Sequence, residues 1–253
     1  MAFSIVIPAR LESTRLPGKV LADIGGKPML QHVYELAQST SAEMVCIATD
    51  SKEVQTVAEG FGATVCMTSP DHPTGSERVA EAIEALQFEE NDIVVNLQAD
   101  EPLMPVSIIK AVASALEKNE TIKVASACRR IDAPEQLFDP SIAKVVLNER
   151  GNACYFSRAP IPWDRDHFKV GQIPSHLNTP YFRHIGLYGY RAGFLNRFLS
   201  WDPAPAENVE KLEQLRILWN GGKIHMVVTE EEVFPGVDTP SDLERVRAIF
   251  ATC

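Results

Sequence analysis

The chemistry-bearing residues of this chain fall into three stretches, and the first lies almost at the start. Pro8-Ala9-Arg10-Leu11-Glu12-Ser13-Thr14-Arg15-Leu16-Pro17-Gly18-Lys19 holds three cations, two hydroxyls and one acid. Proline pre-sets the backbone near each end, and Gly18 permits a turn beside Lys19. Cations held in place in this way suit phosphate, whose recognition depends on positioned donors. The second stretch is Gln98-Ala99-Asp100-Glu101-Pro102. A carboxylate at a strand's end is a candidate ligand for a hard cation, because Mg²⁺ is usually held by one or two carboxylates plus substrate phosphates. Gln98 offers both a donor and an acceptor. The third is Gly236-Val237-Asp238-Thr239-Pro240-Ser241-Asp242. There Thr239, Pro240 and Asp242 read as N-cap, first turn and N3 of a helix, which leaves Asp238 outside the cap. Asp100 and Asp238 together could meet at one metal.

Several familiar chemistries are excluded by what is missing. Gly18-Lys19 lacks the surrounding pattern of a Walker A loop, and no G-x-G-x-x-G follows the first apolar run. The histidines show no metal spacing, and no G-x-S-x-G elbow is present. His184 and His225 read as core histidines, and Trp163, Trp201 and Trp219 as packing residues.

The elements that must carry these stretches can be read from periodicity. Phe3–Ile7, Met44–Ala48, Ala63–Met67 and Asp92–Leu97 are short apolar runs that read as buried strands. Between them, helices are expected over Met29–Ala37, over Lys52–Gly60 with Asp50-Ser51 as cap, and from Ser76 to Leu86. This alternation means βαβ units and a mostly parallel sheet flanked by helices. The loop of residues 8–19 then lies beyond a strand's carboxyl end, where open α/β sheets bind ligands. After the helix Val106–Glu117 the rhythm changes: Lys123–Cys128, Ala143–Leu147 and Ala153–Phe156 are strand-like with no helix expected between them. Arg158–Pro180 reads as a long functional loop. A strand over Phe182–Tyr190, a short helix over Ala192–Leu199, and a continuous helix over Glu207–Trp219 closed by Gly221-Gly222 follow. The last strand is Lys223–Val228 and the last helix Pro240–Phe250. The expectation is one domain, residues 1–253, with a mixed second segment inserted against the sheet.

The bulk numbers bound the partners. A net charge of −10 over 253 residues argues against nucleic acid, which calls for a basic footprint. No apolar run approaches the roughly 20 residues of a membrane span. The five cysteines are scattered and never spaced C-x-x-C, so buried free thiols in a reducing, cytoplasmic setting are expected.

Taken together the motifs resemble one family, the 3-deoxy-manno-octulosonate cytidylyltransferases (CMP-KDO synthetases). The resemblance rests on the loop of residues 8–19, Thr74-Gly75-Ser76-Glu77-Arg78 and Gln98–Pro102. It extends through Tyr155-Phe156-Ser157-Arg158, Arg183-His184-Ile185-Gly186-Leu187-Tyr188, Leu212-Glu213-Gln214-Leu215-Arg216 and Gly236–Pro240, and so runs end to end. It implies a Rossmann-like nucleotide-diphospho-sugar transferase fold, Mg²⁺ dependence, a homodimer, and CMP transfer from CTP to KDO for lipopolysaccharide synthesis. By the same resemblance Arg10, Lys19 and Asp100 are the catalytic set. Pro8, Ala9, Arg10, Ser13, Lys19, Ser76, Arg78 and Gln98 would hold the nucleotide. Arg158, His184, Tyr188, Glu213 and Gln214 would line the sugar-acid pocket, and Asp100 with Asp238 would hold the metal. A CMP-sialic acid synthetase and a non-catalytic regulator on the same fold are the alternatives. Sugar-1-phosphate nucleotidyltransferases fit less well, because their usual G-x-G-x-R opening is missing. The family usually has glycine where this chain has Ala99; a backbone needing positive φ there would strain alanine and move Asp100.

Overall fold

In the computed structural model, which describes residues 2–13, 15–72 and 74–252, the first apolar run becomes β1 (Ser4–Pro8), buried along its whole length. Alternation sends Ile5 and Ile7 into the core on one face of the sheet and Val6 into the core on the other. A single 3₁₀ turn at Lys19–Leu21 leads to a small hairpin of β2 (Asp23–Ile24) and β3 (Lys27–Pro28). Gly25 and Gly26, both at positive φ, make its two-residue turn.

The βαβ rhythm then runs as read. α1 (Met29–Ser39), β4 (Met44–Thr49), α2 (Lys52–Gly60), β5 (Thr64–Met67), α3 (Gly75–Ala85), β6 (Ile93–Asn96) and α4 (Val106–Lys118) follow in turn. Local side chains set two of these starts: Ser51 accepts from the Val54 N–H, and Thr74 accepts from the Glu77 N–H. The second half contains β7 (Val124–Arg130), α5 (Pro134–Phe138), β8 (Lys144–Leu147), β9 (Ala153–Ser157), β10 (Phe182–Arg191), α6 (Ala192–Leu199), α7 (Pro205–Glu210), α8 (Leu215–Trp219), β11 (His225–Thr229) and α9 (Pro240–Phe250). The Thr239 side chain and Asp242 close a reciprocal capping box on α9.

Among the described residues one nine-stranded sheet runs β11-β7-β10-β6-β1-β4-β5, with the β8–β9 hairpin attached to the edge of β10. β1 pairs in parallel with β4 and β6, and β4 with β5, while β10 is antiparallel to both β6 and β7. The chain winds outward from β1 to β5, then returns through α3 to β6 on the other side of β1. That reversal creates a switch point between β1 and β6, where a crevice opens at the strands' carboxyl ends. Close packing of β10 under α4 explains Gly189: a Cβ there would lie 2.9 Å from both Leu116 Cδ1 and Val112 Cγ1.

Four expectations are corrected. The segment between β7 and β8 does contain a helix, the short α5, started by Pro134 at its first turn. The expected helix over 207–219 is two helices, because Lys211 takes a left-handed conformation at the end of α7 (φ 53°). Glu207 is committed to a buried bidentate pair with Arg216 and to the Ala204 N–H, which folds α8 back on α7. Cys46, Cys66 and Cys128 are buried free thiols, but Cys154 is exposed; Cys253, like Thr14 of the opening loop, lies outside the described residues. Trp201 packs edge-on against Phe194 and Phe198, whereas Trp219 is 66% exposed, and Trp163, 45% exposed, meets Phe168 edge-on.

Candidate active site

The crevice at the switch point is a cavity of about 380 Å³. Pro8, Arg10, Ser13, Arg15 and Lys19 line it from the loop after β1, and Gln98, Ala99 and Asp100 from the loop after β6. His72, Thr74, Gly75 and Arg78 supply the wall at the start of α3, and Asp238 closes the remaining side. Backbone hydrogen bonds fix these loops: Ala9 N–H donates to the Ala48 carbonyl, and Val237 N–H to the Asp100 carbonyl at 2.8 Å.

Lys19 is the centre of this arrangement. Its ammonium donates to Asp100 Oδ2 at 2.5 Å, Asp238 Oδ1 at 2.9 Å and the Val237 carbonyl at 3.0 Å. Burial alone would pull its pKa down, but Asp100 and Asp238 outweigh burial and hold it above the ordinary lysine value. Arg15 reaches the other oxygen of Asp238 at 2.9 Å. The two acids therefore converge on one point, which their separation in sequence gave no means of establishing. Beside them burial, and then the charges of Asp100 and Asp238, push the Glu101 carboxyl up to about 8.

Does a hard divalent cation fit here? Asp100 and Asp238 present carboxylate oxygens at a point already chosen by a cation, the ammonium of Lys19. Among the described residues no group of three or more His, Cys, Asp or Glu is arranged to hold a metal. Two carboxylates with the remaining positions left to phosphate oxygens and water is the Mg²⁺ pattern, so the donor set fits. Ala99 does not disturb it: among the described residues only Ser41, Gln87 and Lys211 are non-glycine positions with positive φ, so alanine is unstrained beside Asp100.

Arg78 lines the cavity, but its buried guanidinium donates to Asp50 Oδ2 at 2.9 Å, to Thr68 Oγ1 and to the Ser69 carbonyl. It braces the loop before α3. The Ala9 side chain lies in the core, so only its backbone can meet a ligand. Ser76 points away from the cavity lining and donates to Glu213 Oε2 at 3.3 Å.

Ser76 thereby joins a second polar group. On β10 the His184 ring lies tilted against Tyr188, and Tyr188 stacks on Tyr190, with ring centroids 5.4 and 5.8 Å apart. Glu213 and Gln214 arrive from the connection between α7 and α8, so the break in the expected helix is what presents them. Tyr188 Oη, Glu213 Oε1 and Gln214 Nε2 are buried without a protein partner. Such atoms are costly unless something satisfies them, and a polyhydroxylated ligand would. Burial pushes the Glu213 carboxyl up and the Tyr188 phenol well up. The group adjoins the cavity through Asn96, which pairs with Tyr188 across the sheet and accepts from Gln98 Nε2 at 3.0 Å. Arg158 is used differently from expectation. Its guanidinium donates to the carbonyls of Glu210, Pro140 and Ser141, tying loop 139–142 to α7.

Sequence reading missed His72, whose ring meets the Glu81 carboxylate, along with Thr74, Asp50 and Tyr190, and it counted Arg15 only as one of the three cations of the loop of residues 8–19. Thr74 carried a signal, a hydroxyl three residues before Glu77 at a helix start. The others carried none, because their partners are set by folding.

A doubly wound sheet with a cationic loop and two converging carboxylates at its switch point defines a class, the α/β enzymes that handle phosphorylated substrates in that crevice. Comparison with known proteins narrows this. Residues 4–224 match the family described as cytidylyltransferase, and the chain belongs to that family of nucleotidyltransferases. It is 57% identical over 250 residues to the 3-deoxy-manno-octulosonate cytidylyltransferase of Coxiella burnetii (strain Dugway 5J108-111), covering 99% of this chain and 100% of that one. With the enzyme of the same name from Vibrio campbellii (strain ATCC BAA-1116) it shares 53% over 251 residues, covering 99% and 98%. A solved CMP:2-keto-3-deoxy-manno-octonic acid synthetase complexed with CTP superposes with a TM-score of 0.90 at 38% identity, over 100% of this chain and 99% of that one.

Proposed function

We propose that this chain transfers CMP from CTP to 3-deoxy-D-manno-octulosonate (KDO), releasing pyrophosphate and supplying CMP-KDO for lipopolysaccharide synthesis. The observation that carries the reading is the Lys19 ammonium bridging Asp100 and Asp238 in a cationic crevice, with an unsatisfied polar group immediately beside it. The relatives' names and the CTP-bound structural neighbour support it.

In this reading the anomeric hydroxyl of KDO attacks the α-phosphorus of CTP in line and gives up its proton to solvent. The bond from that phosphorus to the oxygen bridging to the β-phosphate breaks, and pyrophosphate departs. Arg10 and Ser13 grip the phosphates; the Lys19 ammonium, its three hydrogens held by Asp100, Asp238 and Val237, stands beside them as a fixed positive charge, and Arg10 and Lys19 meet charge as it develops. Pro8, the Ala9 backbone, Arg78 and Gln98 shape the nucleotide's seat, while Ser76 supports Glu213 in the second polar group. His184, Tyr188, Glu213 and Gln214 hold the sugar acid, and Arg158 fixes the wall behind them. Asp100 and Asp238 would hold Mg²⁺, with Asp100 counted in the catalytic set for that reason, and the ion would supply Lewis-acid neutralisation of phosphate charge. Holding both reactants side by side contributes by removing the entropy of their encounter.

Pyrophosphate release with CTP tests this, comparing KDO, sialic acid and a sugar-1-phosphate as acceptors. Turnover with KDO is expected. Turnover only with sialic acid would reassign the acceptor, and none with any acceptor would make the chain a binding protein. A homodimer is part of the proposal and is checked by light scattering, which should give twice the 28.0 kDa chain mass. Residence in the cytoplasm is supported by the free thiols of Cys46, Cys66, Cys128 and Cys154 and is tested by cell fractionation.

A further inference from the structure

Facing β10, the middle of β7 carries a serine that is completely buried and touches no part of the crevice, Ser126. Its register partner on β10 shifts between Ile185 and Tyr188, a bulge that leaves Gly186 and Leu187 unpaired with β7. The bulge turns two carbonyls toward one hydroxyl: Ser126 Oγ lies 2.9 Å from the Leu187 oxygen and 3.3 Å from the Ile185 oxygen. His184 Nε2 stands 2.9 Å from the same Oγ.

The contacts at this junction favour one proton arrangement over the other. A serine hydroxyl carries one hydrogen and accepts through its lone pairs. Both carbonyls can only accept: a Ser126 hydrogen aimed at Nε2 would leave oxygen–oxygen contacts of 2.9 and 3.3 Å with no hydrogen between them, whereas one aimed at the Leu187 oxygen leaves only the longer contact. The face of Oγ toward His184 is then a lone pair, and Nε2 must be the nitrogen that carries hydrogen. Burial pushes the His184 imidazole down to about 4, so a single ring proton is present at neutral pH. Nδ1 is left with a free lone pair. It makes no hydrogen bond among the described residues, and it is not among the buried atoms shut off from any partner. The ring itself is held by Phe156 edge-on at 5.1 Å and by Tyr188, whose Oη is unpartnered, at 5.4 Å.

We propose that Ser126, aimed by the β10 bulge, is a positioning residue that fixes His184 as its Nε2–H tautomer, so that Nδ1 accepts a hydrogen bond from a hydroxyl of the acceptor sugar acid. The second half of this statement rests on the function proposed above; the first half does not. An acceptor at this point discriminates for a hydroxylated substrate and against a deoxygenated one, because a hydroxyl donates to the lone pair and a C–H does not.

The test is ¹⁵N NMR of the histidine-labelled full chain at neutral pH, with His184 assigned by loss of its signal in His184→Gln. The unliganded protein is expected to show Nε2 as the protonated nitrogen and Nδ1 as the bare one; the reverse pattern, or an imidazolium, overturns the proposal. Addition of KDO should then shift Nδ1 and leave Nε2 nearly in place; an unmoved Nδ1 overturns the substrate contact even if KDO is turned over. Ser126→Ala should convert His184 to mixed tautomers and raise the KM for KDO about tenfold, the cost of a misdirected hydrogen bond, with the KM for CTP unchanged. Equal rises in both KM values would instead mark a purely structural residue and overturn the assignment. Failure of the KDO assay alone, with the tautomer as expected, would count against the function and leave the Ser126–His184 arrangement standing.

Discussion

Replacing Lys19 by alanine tests the centre of the site. The ammonium lies between carboxylates 81 and 219 residues away in sequence and also holds the Val237 carbonyl, so three loops share one cation. Its loss takes a fixed positive charge from beside the phosphates and leaves Asp100 and Asp238 facing one another unneutralised. Removing one preorganised donor to developing charge lowers kcat by roughly 10²–10³, about 3–4 kcal/mol of transition-state stabilisation. The effect on folding should be much smaller. The Asp238 side chain is 44% exposed, so that pair is heavily screened, while the Asp100 pair sits deeper. The folded Lys19 pKa is raised, so the pairs' contribution is fully present below the ordinary lysine value of 10.5 and is lost only as pH rises through the folded pKa. At neutral pH both activity and stability losses should therefore appear at full size. Pyrophosphate release under saturating CTP and KDO measures the first, and urea unfolding the second. A normal kcat, or a collapse of the fold by itself large enough to account for the lost activity, would refute the reasoning.

Asp100→Asn and Asp238→Asn should each move the Mg²⁺ titration of activity to higher concentration, Asp100 the more because its side chain is less exposed; a normal titration would remove that residue from the metal site. Glu207→Ala should destabilise the chain by about 3–5 kcal/mol, since it strands the buried Arg216 guanidinium, and a thermal melt within a degree of the parent would contradict this. His184 is expected to weaken the fold in acid. Its folded pKa lies at about 4 against 6.5 unfolded, so the unfolded state takes up a proton first and stability falls as pH drops through that window. His184→Gln should flatten that limb of a stability–pH profile.

Local sequence determined a great deal here. The spacing of apolar residues set the βαβ series, and a hydroxyl or acid beside each run set the helix starts at Ser51 and Thr239, with α6 and α9 bounded where the pattern placed them. These are interactions within a few residues, and so they are written in short stretches. Even the departure at Ala99 could be posed from sequence, as a question about φ, and only the backbone answered it. Tertiary structure decided what depends on which strands become neighbours. The return of the chain to β6 put Asp100 beside the loop of residues 8–19, and the docking of the 236–238 loop brought in Asp238. The pairing of Glu207 with Arg216 broke a run that reads as one helix and so delivered Glu213 and Gln214 to the site. An antiparallel β10 with a bulge set His184 against Ser126, 58 residues away. None of these contacts has a local signature, because each side chain's partner is chosen by the packing of elements that are remote in the chain.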